Sequence, residues 1–459
     1  MGIEVVNPYN GEVLARLPYD SEESASEKID KLHRAFLSWR DTSLSQRVEV
    51  VEKVLDYFRQ EAELIAKEIT LQMGKPLKEA QGEVQTFLDR GQTMAKLAAD
   101  ALAPWKPEGK EGFERRIEHV PMGVVFNIVA WNYPLLLPVN VIVPAILAGN
   151  TVLLKHSGVT ALTAKRFKEA FAAAGHEDLL QEVQLTHDMT GAIIQDERIE
   201  HVSFTGSVYG GHEIYRAVAK QRFIDCGLEL GGKDPAYIAQ DADLEFCLPN
   251  IVEGACYNAG QSCCAIERVY VHEDHYDAFV VGAKDILSNY VLGDPLSEST
   301  TLGPLARPSA LKTLNEHVED AASRGADIFV GCDLSAAQKG AFMAPTLIMD
   351  APQESLVMQD ESFGPLLPIH KVKSDEEALE KMNDSAFGLT SSVWTEDMDR
   401  AEYFGRYLKT GTVFQNRCDY LDPALAWTGV GHSGKGSTLS VYGFHHLTRR
   451  KSLHFRTGR

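Results

Sequence analysis

The stretch from Val120 to Leu154, VPMGVVFNIVAWNYPLLLPVNVIVPAILAGNTVLL, contains no Asp, Glu, Lys or Arg over 35 residues. Its length and lack of charge would suit a membrane span. However, four prolines and four asparagines interrupt it, and buried amides would need partners in lipid. The stretch therefore predicts a strand, a loop and a helix that pass through a protein core, with asparagines that hydrogen-bond at a site.

Strand and helix patterns alternate before and after about residue 230. Predicted strands are Gly123–Ala130, Thr151–Leu154, Ile199–Thr205, Ala236–Ile238, Arg268–His272, Leu366–Val372 and Ser391–Thr395. Helical spacing lies between several of them, as in Thr160–Ala174 and Leu244–Asn258. Because such alternation produces parallel, doubly wound sheets, we expect an α/β protein with two domains and a cleft between them.

The N-terminal part has a helical pattern. Asp20 and Glu23 have the spacing of a capping box ahead of a first helix. A second helical stretch, Arg47–Met73, is predicted to end at Gly74, because glycine commonly follows a helix. The tail Leu447–Phe455 mixes basic and apolar residues and is interpreted as a strand that pairs with a distant segment.

The composition argues against several classes of protein. The 459 residues include 45 Lys and Arg against 65 Asp and Glu, which gives a net charge of −20. Such a chain would be repelled by phosphates, so it is not expected to bind nucleic acid non-specifically. Seven cysteines without a CxxC pair indicate a reduced, cytoplasmic protein rather than a disulfide scaffold. The first residues show no secretory pattern.

Two segments carry candidate reactive groups. In Gly260-Gln261-Ser262-Cys263-Cys264 the glycine lets the backbone turn and expose a thiol. Adjacent side chains of an extended backbone face opposite ways, so one cysteine would be reactive and the other packed. For the dipeptide taken alone, the preferred interpretation is a pair of small core residues. Glu229 lies between two leucines and before two glycines, which suits a general base with a raised pKa. A solvated glutamate at a strand end is the alternative.

Two further segments suit a bound anion and an oxyanion. Gly206-Ser207 ends a predicted strand before a helix, where free N–H groups and the helix dipole favour a pyrophosphate, although an ordinary tight turn has the same pattern. Asn132 follows the predicted strand of the uncharged stretch, and its amide is a possible oxyanion donor. The alternative is an asparagine that pairs with buried backbone groups.

These motifs, in this order, resemble the aldehyde dehydrogenase superfamily over nearly the whole chain. The resemblance also rests on Asn7-Pro8, Gly11-Glu12, Met73-Gly74-Lys75-Pro76, Glu361-Ser362-Phe363-Gly364-Pro365 and Gly411-Thr412-Val413 through Asn416. It implies an α/β fold with a Rossmann-like cofactor domain at 1–102 and 122–230, a catalytic domain at 231–432, and a small β oligomerisation element at 103–121 and 433–459. A homodimer or homotetramer is therefore expected.

The resemblance assigns roles to single residues. Cys263 matches the nucleophile, Glu229 the base that activates water, and Asn132 the oxyanion donor that acts with the Cys263 N–H. Expected cofactor contacts are Val129, Trp131, Lys155, Ser157, Gly158, Gly206, Ser207, Gly211, Leu230, Glu361 and Phe363. The expected substrate tunnel is lined by Tyr133, Asn140 and Trp427. These roles imply NAD(P)-dependent oxidation of an aldehyde to a carboxylic acid through a thiohemiacetal and a thioester.

The segment Lys155-His156-Ser157-Gly158 departs from the family pattern. Many members have a ribose-binding glutamate where Gly158 stands, and that carboxylate would repel a 2′-phosphate. With glycine there, and with Lys155 and Ser157 beside it, we expect use of both cofactors with a preference for NADP. His156 is expected to bond locally, and no metal is predicted because His445-His446 lacks ligand spacing with a cysteine or carboxylate.

Other departures concern the substrate and proton release. Thr438 stands where many members have a glutamate that helps proton release, and Asn140 stands where an aromatic residue or an arginine is common. The region after the second strand resembles the succinate-semialdehyde branch, yet Asn140 supplies no arginine for a second carboxylate. Arg417 is a candidate for that arginine, although a structural or surface role is preferred.

Two alternative functions keep the same fold. In a CoA-acylating dehydrogenase, CoA rather than water takes the acyl group, and Glu229 argues against it because no water-activating base is needed there. A non-enzymatic structural member would be expected to have lost Cys263, Glu229 or Asn132, and all three are present.

Overall fold

The computed structural model describes residues 2–334 and 339–457. In the first half of the chain the strands are β1 Gly2–Val6, β2 Val13–Pro18, β3 Phe113–Pro121, β4 Val124–Val129, β5 Thr151–His156, β6 Leu180–Glu182, β7 Ile199–Thr205 and β8 Asp225–Glu229. The helices of this half are α1 Glu22–Trp39, α2 Leu44–Gln60, α3 Ala62–Met73, α4 Leu77–Ala101, α5 Leu136–Ala148, α6 Ala161–Ala173, α7 His187–Ile194 and α8 Val208–Ala219.

In the second half the strands are β9 Asp234–Ile238, β10 Ile266–His272, β11 Asp327–Val330, β12 Thr346–Met349, β13 Leu366–Val372, β14 Phe387–Gly388, β15 Thr390–Trp394, β16 Thr412–Gln415, β17 Val430–Gly431, β18 Gly434–Lys435 and β19 Thr448–Arg456. The helices of this half are α9 Leu244–Cys256, α10 Glu273–Ser288, α11 Ala310–Ser323, α12 Leu356–Gln359, α13 Asp375–Asn383, α14 Met398–Tyr407 and α15 Ser440–His446.

Two mixed sheets organise the protein, and each is mostly parallel. The first has the order β18-β8-β7-β4-β5-β6, with only the edge strand β18 antiparallel. The second has the order β11-β12-β13-β10-β9-β15-β16, with only the edge strand β11 antiparallel. The predicted α/β fold is confirmed, and the seven predicted strands all belong to these two sheets.

The uncharged stretch forms β4, a loop, α5 and β5, as the sequence predicts. All six residues of β4 are buried, and so is nearly every residue of α5 around its whole circumference. A helix that is apolar on all sides belongs in a core. Burying each such Val, Leu or Ile side chain contributes about 1.5–3 kcal/mol before the entropy cost. This central layer holds the loop that carries Asn132.

The N-terminal region differs from its helical interpretation in three ways. Residues 2–18 form the antiparallel hairpin β1–β2. The first helix is capped by Ser21, whose Oγ accepts the Ser24 N–H at 3.1 Å, while Asp20 instead accepts from Lys28. The second helical stretch is divided at Glu61 into α2 and α3, although it ends as expected at left-handed Gly74.

The tail strand β19 pairs antiparallel with β3 over its whole length, from Thr448 opposite Pro121 to Arg456 opposite Phe113. This two-stranded ribbon confirms that the tail pairs with a distant segment. Gly434–Lys435, which the resemblance grouped with the oligomerisation element, extends the first sheet as β18 instead.

Candidate active site

The segment between α9 and β10 turns sharply through three consecutive residues with positive φ. Asn258, Ala259 and Gly260 have φ values of 53°, 55° and 70°. A Cβ on Gly260 would lie 2.3 Å from the carbonyl carbon and oxygen of Gly364, so only glycine allows this approach. The turn places the two cysteines side by side in front of β10.

The environments of the two cysteines differ. Cys263 is partly exposed in a cavity, whereas Cys264 is 3% exposed and its Sγ donates to Asp419 Oδ1 at 3.0 Å. A hydrogen bond with Cys263, burial and the Asp419 carboxylate together raise the pKa of Cys264 well above its usual range. Because the thiolate is the nucleophilic form, this environment disfavours Cys264 as a nucleophile. Cys263 is the more exposed thiol of the pair.

Glu229 is the last residue of β8 and belongs to the same cavity. One carboxylate oxygen accepts from the Thr438 hydroxyl and the other accepts from the Thr205 hydroxyl at 3.2 Å. Burial raises the pKa of Glu229, and the hydroxyl donors oppose the rise. Glu229, Thr205 and Thr438 also line a second cavity. Its volume of about 20 Å³ is enough for one water molecule.

Asn132 is 3% exposed and lies one residue before Tyr133, which lines the main cavity. Its backbone oxygen accepts from Lys75 Nζ at 3.0 Å and from Asn258 Nδ2 at 3.2 Å. Asn258 Nδ2 also donates to Gln261 O at 3.1 Å, so one amide ties the Asn132 loop to the cysteine segment. Asn132 itself is not among the described residues that line the main cavity.

A buried ion pair lies behind the Asn132 loop. Lys75 binds Glu83, and the two side chains are 0% and 1% exposed. Glu83 also accepts the Leu135 N–H at 2.9 Å, and Lys75 Nζ lies 4.1 Å from the centre of the Tyr133 ring. The pair thus contacts the loop at Asn132, at Tyr133 and at Leu135.

The main cavity has a volume of about 340 Å³ and opens between the two sheets. Cys263, Glu229, Tyr133, Asn140 and Trp427 all line it, so the structure brings these predicted catalytic and substrate residues together. Its other lining residues are Gly82, Glu83, Thr86, Arg90, Leu136, Leu137, Asn250, Glu253, Gly254, Tyr257, Cys264, Cys418, Asp419, Tyr420 and Leu421. Arg417 is not among these; it is exposed, with its guanidinium over the Tyr420 ring.

The predicted cofactor residues gather at the carboxyl ends of β4, β5 and β7. The strand order reverses there, since β5 lies on one side of β4 and β7 on the other, and ligands of open α/β sheets bind at such a switch point. Val129 ends β4 and accepts the Ser157 N–H at 3.0 Å. Ser207 caps α8, and its Oγ accepts the Gly210 N–H at 3.2 Å. The start of α8 therefore faces this crevice.

Three of the predicted cofactor residues also have structural contacts. The Gly206 N–H donates to Glu229 O at 3.0 Å and is thereby already paired. A Cβ on Gly211 would lie 2.7 Å from Leu230 Cδ2, so Gly211 allows α8 to pack closely on Leu230. Gly206 links the predicted pyrophosphate turn to the strand that carries the base.

Glu361 and Phe363 lie across the crevice from β4. Glu361 Oε1 accepts the Gly232 N–H at 3.0 Å, and burial raises the pKa of Glu361 to about 8. A Cβ on Gly231 would lie 2.3 Å from a Glu361 carboxylate oxygen, so this glycine makes room for that carboxylate. The Phe363 ring meets the Trp131 ring edge to face at 5.6 Å.

The end of the crevice beside β5 is positively charged. Lys155 is partly buried, and burial lowers its pKa. Arg307 Nη2 donates to Ser157 Oγ at 3.4 Å, and its guanidinium lies 5.7 Å from the Trp131 ring centre. A Cβ on Gly158 would lie 3.2 Å from Ile3 Cγ2, a contact that requires a small movement of Ile3. His156 bonds locally, as expected, to Thr160 and to Pro134 O.

Sequence reasoning missed four polar residues around the site: Arg90, Glu83, Arg307 and Asp419. Two of them carried a readable signal, because Glu83 and Arg90 lie seven residues apart on the apolar stripe of α4 with Phe87 and Met94. Charged residues on the buried face of a helix need partners and often mark a site. Arg307 and Asp419 lie in loops without such periodicity.

Within the described residues no group of three or more His, Cys, Asp or Glu side chains is arranged to hold a metal ion. The rings of His119 and His445 stack at 4.2 Å, and those of His201 and His446 meet at 5.0 Å. In the same part of the chain no helix has the length and apolar character needed to cross a membrane.

The sequence model of the aldehyde dehydrogenase family matches residues 1–453. An aldehyde dehydrogenase of Paenarthrobacter nicotinovorans is 34% identical over 459 residues, with 99% of each chain covered. The succinate semialdehyde dehydrogenase [NAD(P)+] Sad of Escherichia coli is 34% identical over 96% of this chain and 95% of its own. The crystal structure of a succinic semialdehyde dehydrogenase from Streptococcus pyogenes in complex with NADP+ superposes with a TM-score of 0.94, at 28% identity over 99% of this chain and 100% of the other.

Proposed function

The chain belongs to the aldehyde dehydrogenase family, and from that premise we propose that it oxidises an aldehyde to a carboxylic acid through a covalent intermediate on Cys263. The observation that carries this proposal is a single cavity lined by both Cys263 and Glu229. A nucleophile without a base would suffice for acyl transfer to a thiol. A nucleophile and a base in one cavity suit hydrolysis of the acyl group.

In the first half-reaction the Cys263 thiolate attacks the aldehyde carbon, and the carbonyl π electrons move to oxygen. Asn132 and the Cys263 N–H are the proposed donors to that oxyanion in the thiohemiacetal, and one such donor is typically worth about 2.7–4 kcal/mol. A nicotinamide cofactor held in the crevice by residues such as Glu361 and Ser207 would supply the hydride acceptor for this carbon. The oxyanion then re-forms the carbonyl, which leaves a thioester on Cys263.

In the second half-reaction Glu229 takes a proton from a water molecule that attacks the thioester carbon. The C–S bond breaks, the Cys263 thiolate leaves, and the carboxylic acid is released. Glu229 and Cys263 line the same cavity, so a water held there is within the space shared by the base and the thioester. Thr438 donates to Glu229 in place of the family glutamate, and thereby orients the base without adding a second negative charge.

The crevice fits a dinucleotide with an additional phosphate. The Glu361 carboxylate suits ribose hydroxyls, and the start of α8 suits the pyrophosphate, since helix N-termini attract anions. Lys155, Ser157 and Arg307 surround the position of a 2′-phosphate, with no carboxylate at Gly158. We therefore propose use of both NADP and NAD with a preference for NADP, in keeping with relatives named for NADP(+) or NAD(P)+.

The assembly is proposed to be a homodimer or a homotetramer in the cytoplasm. The β3–β19 ribbon supports this, since its tail strand is largely exposed from Arg449 to Arg456 and offers a pairing surface. The same ribbon supports the assignment of 103–121 and 433–459 to an oligomerisation element, apart from the β18 pairing described above. The cofactor domain is proposed at 1–102 and 122–230 and the catalytic domain at 231–432.

The experiment that tests this function is stopped-flow measurement of reduced cofactor with wild type and Glu229→Gln. Glutamine keeps the shape but removes the base, so the variant should give a burst of reduced cofactor near one equivalent per active site, followed by very slow turnover. Added CoA tests the acylating alternative: wild-type turnover should not rise, and the product should be the free acid. A CoA-dependent wild type that releases acyl-CoA would contradict the hydrolytic proposal.

A further inference from the structure

Arg90 brings a guanidinium into the cavity that Cys263 and Glu229 line. The residue is 4% exposed, and its Nη1 donates to Asn140 Oδ1 at 2.9 Å and to Leu136 O at 3.2 Å. Both acceptors are uncharged. The buried Nε has no hydrogen-bond partner among the described residues. A guanidinium carries five N–H donors in a planar fork, and the hydrogen bonds that Arg90 makes to described residues come from Nη1 alone, so the fork keeps donor capacity for a ligand of the cavity that Arg90 lines.

Three of the four carboxylates that line the cavity already accept hydrogen bonds from other groups, and the fourth is exposed. Glu83 binds Lys75 and a backbone N–H, and Glu229 accepts from two threonine hydroxyls. Asp419 accepts from a serine hydroxyl and from the Cys264 thiol, and Glu253 is exposed to solvent. Burial lowers the pKa of Arg90 to about 10, so the side chain stays charged near neutral pH. A buried cation without a directly bound anion is costly unless a ligand supplies one.

We propose that Arg90 binds a carboxylate at the far end of the substrate, so that the substrate class is a short ω-oxo carboxylate, with an aldehyde at one end and a carboxylate at the other. The inference rests on the proposed function, because it places the aldehyde carbon at Cys263. A planar guanidinium can hold a carboxylate through two parallel hydrogen bonds, which gives both attraction and orientation.

None of the residues that the resemblance assigns to the substrate lies on α4, the helix that carries this arginine. The resemblance implies an arginine for a second carboxylate at position 140 on α5, where this chain has Asn140. Arg90 comes from α4 instead and donates to the Asn140 amide oxygen. The charge is therefore carried by a different helix, while Asn140 orients the group that bears it.

The rest of the cavity suits the hydrocarbon part of such a substrate. Tyr133, Leu137 and Trp427 provide aromatic and aliphatic surface. A neutral aldehyde of the same length would make these apolar contacts but would leave Arg90 unpaired. Recognition of the carboxylate should therefore appear as discrimination between two substrates that differ only at the far end.

The test compares 4-oxobutanoate with butanal, which have four carbons each and differ by a carboxylate against a methyl group. Wild type should favour 4-oxobutanoate in kcat/KM by about 10- to 100-fold, the range for hydrogen bonds to charged groups. Arg90→Met should reduce kcat/KM for 4-oxobutanoate about 10- to 100-fold more than for butanal, chiefly through KM. Arg90→Lys keeps the charge without the fork and should lose less.

The outcomes separate this inference from the function on which it rests. Equal kcat/KM for the two aldehydes in wild type, or equal losses for both in Arg90→Met, would overturn the role of Arg90 and leave aldehyde oxidation intact. The wild-type comparison needs no variant to fold, so it decides the question even if Arg90→Met is unstable. Failure of wild type to oxidise either aldehyde would overturn both proposals.

Discussion

Replacing Lys75 by methionine should destabilise the protein and slow its reaction together. Methionine fills a similar volume but leaves the Glu83 carboxylate, which is 1% exposed, without a counter-charge. Removing one partner of a buried pair typically costs about 3–5 kcal/mol of unfolding free energy. The Asn132 carbonyl also loses a charged donor at 3.0 Å, a bond of about 1.5–3 kcal/mol that overlaps with that cost.

The double variant Lys75→Met/Glu83→Gln isolates the buried charge as the cause. Glutamine can still accept the Leu135 N–H through its amide oxygen, while the unpaired carboxylate is gone. The double variant should therefore be about 2 kcal/mol more stable than the single variant, although it carries one more substitution. Urea unfolding followed by tryptophan fluorescence, at equal protein concentration, measures the difference.

The rate should report the position of the Asn132 loop. Lys75 contacts this loop at the Asn132 carbonyl and over the Tyr133 ring, so the single variant should lose about 100-fold in kcat, the typical cost of a 1 Å misplacement. If the losses of unfolding free energy in Lys75→Met and in Glu83→Gln simply added up in the double variant, the ion-pair argument would be refuted. Unchanged kcat in a destabilised Lys75→Met would refute the link to the oxyanion donor.

Four further predictions concern the thiols, the cofactor, pH and assembly. Cys263→Ala should abolish oxidation and most iodoacetamide labelling in the site, whereas Cys264→Ala should keep much of both; equal loss in two folded variants would contradict the assignment. Gly158→Glu should depress kcat/KM for NADP about 10- to 100-fold more than kcat/KM for NAD, with Gly158→Ala as the control for crowding. Arg307→Leu should shift the NADP-to-NAD ratio of kcat/KM in the same direction. An unchanged ratio would show that this end of the crevice does not meet the 2′-phosphate. Because burial raises the pKa of Glu229 and only the deprotonated carboxylate accepts a proton, thioester hydrolysis should be lost as pH falls through that raised pKa, with an acid limb above the usual glutamate range that disappears in Glu229→Gln. Sedimentation at micromolar concentration should show a dimer or a tetramer, and a monomer would contradict the assembly.

Local patterns were enough to predict strands in both large sheets. Strands such as Ile199–Thr205 and Leu366–Val372 have the same bounds in the structure as in the sequence, because both contain β-branched or aromatic residues that favour strands. The uncharged stretch forms a strand, a loop, a helix and a strand, as predicted. Its asparagines and prolines had argued against a membrane span. The motif around Cys263 pointed to the cavity because its glycine is needed for a turn with positive φ.

The N-terminal errors have a local cause. No glycine or proline marks the break between α2 and α3 at Glu61. Ser21 rather than Asp20 caps the first helix, because adjacent polar residues can offer the same hydrogen bond. Short edge strands such as β18 contain two residues and depend on a neighbour for their hydrogen bonds. Two residues are too few to show the alternation of side chains that identifies a strand in a sequence.

The sequence alone thus predicted the fold class and the family, because both depend on motifs whose residues lie close together along the chain, and its assignment of Cys263, Glu229 and Asn132 stays a prediction. Only the tertiary structure gave Cys264 its hydrogen-bond partner Asp419, which lies 155 positions away. It likewise placed Arg90 against Asn140 and Arg307 beside Ser157. Partners so distant in sequence leave no local pattern, since the charge and hydrogen bonding of a buried group are set by whatever the fold packs around it.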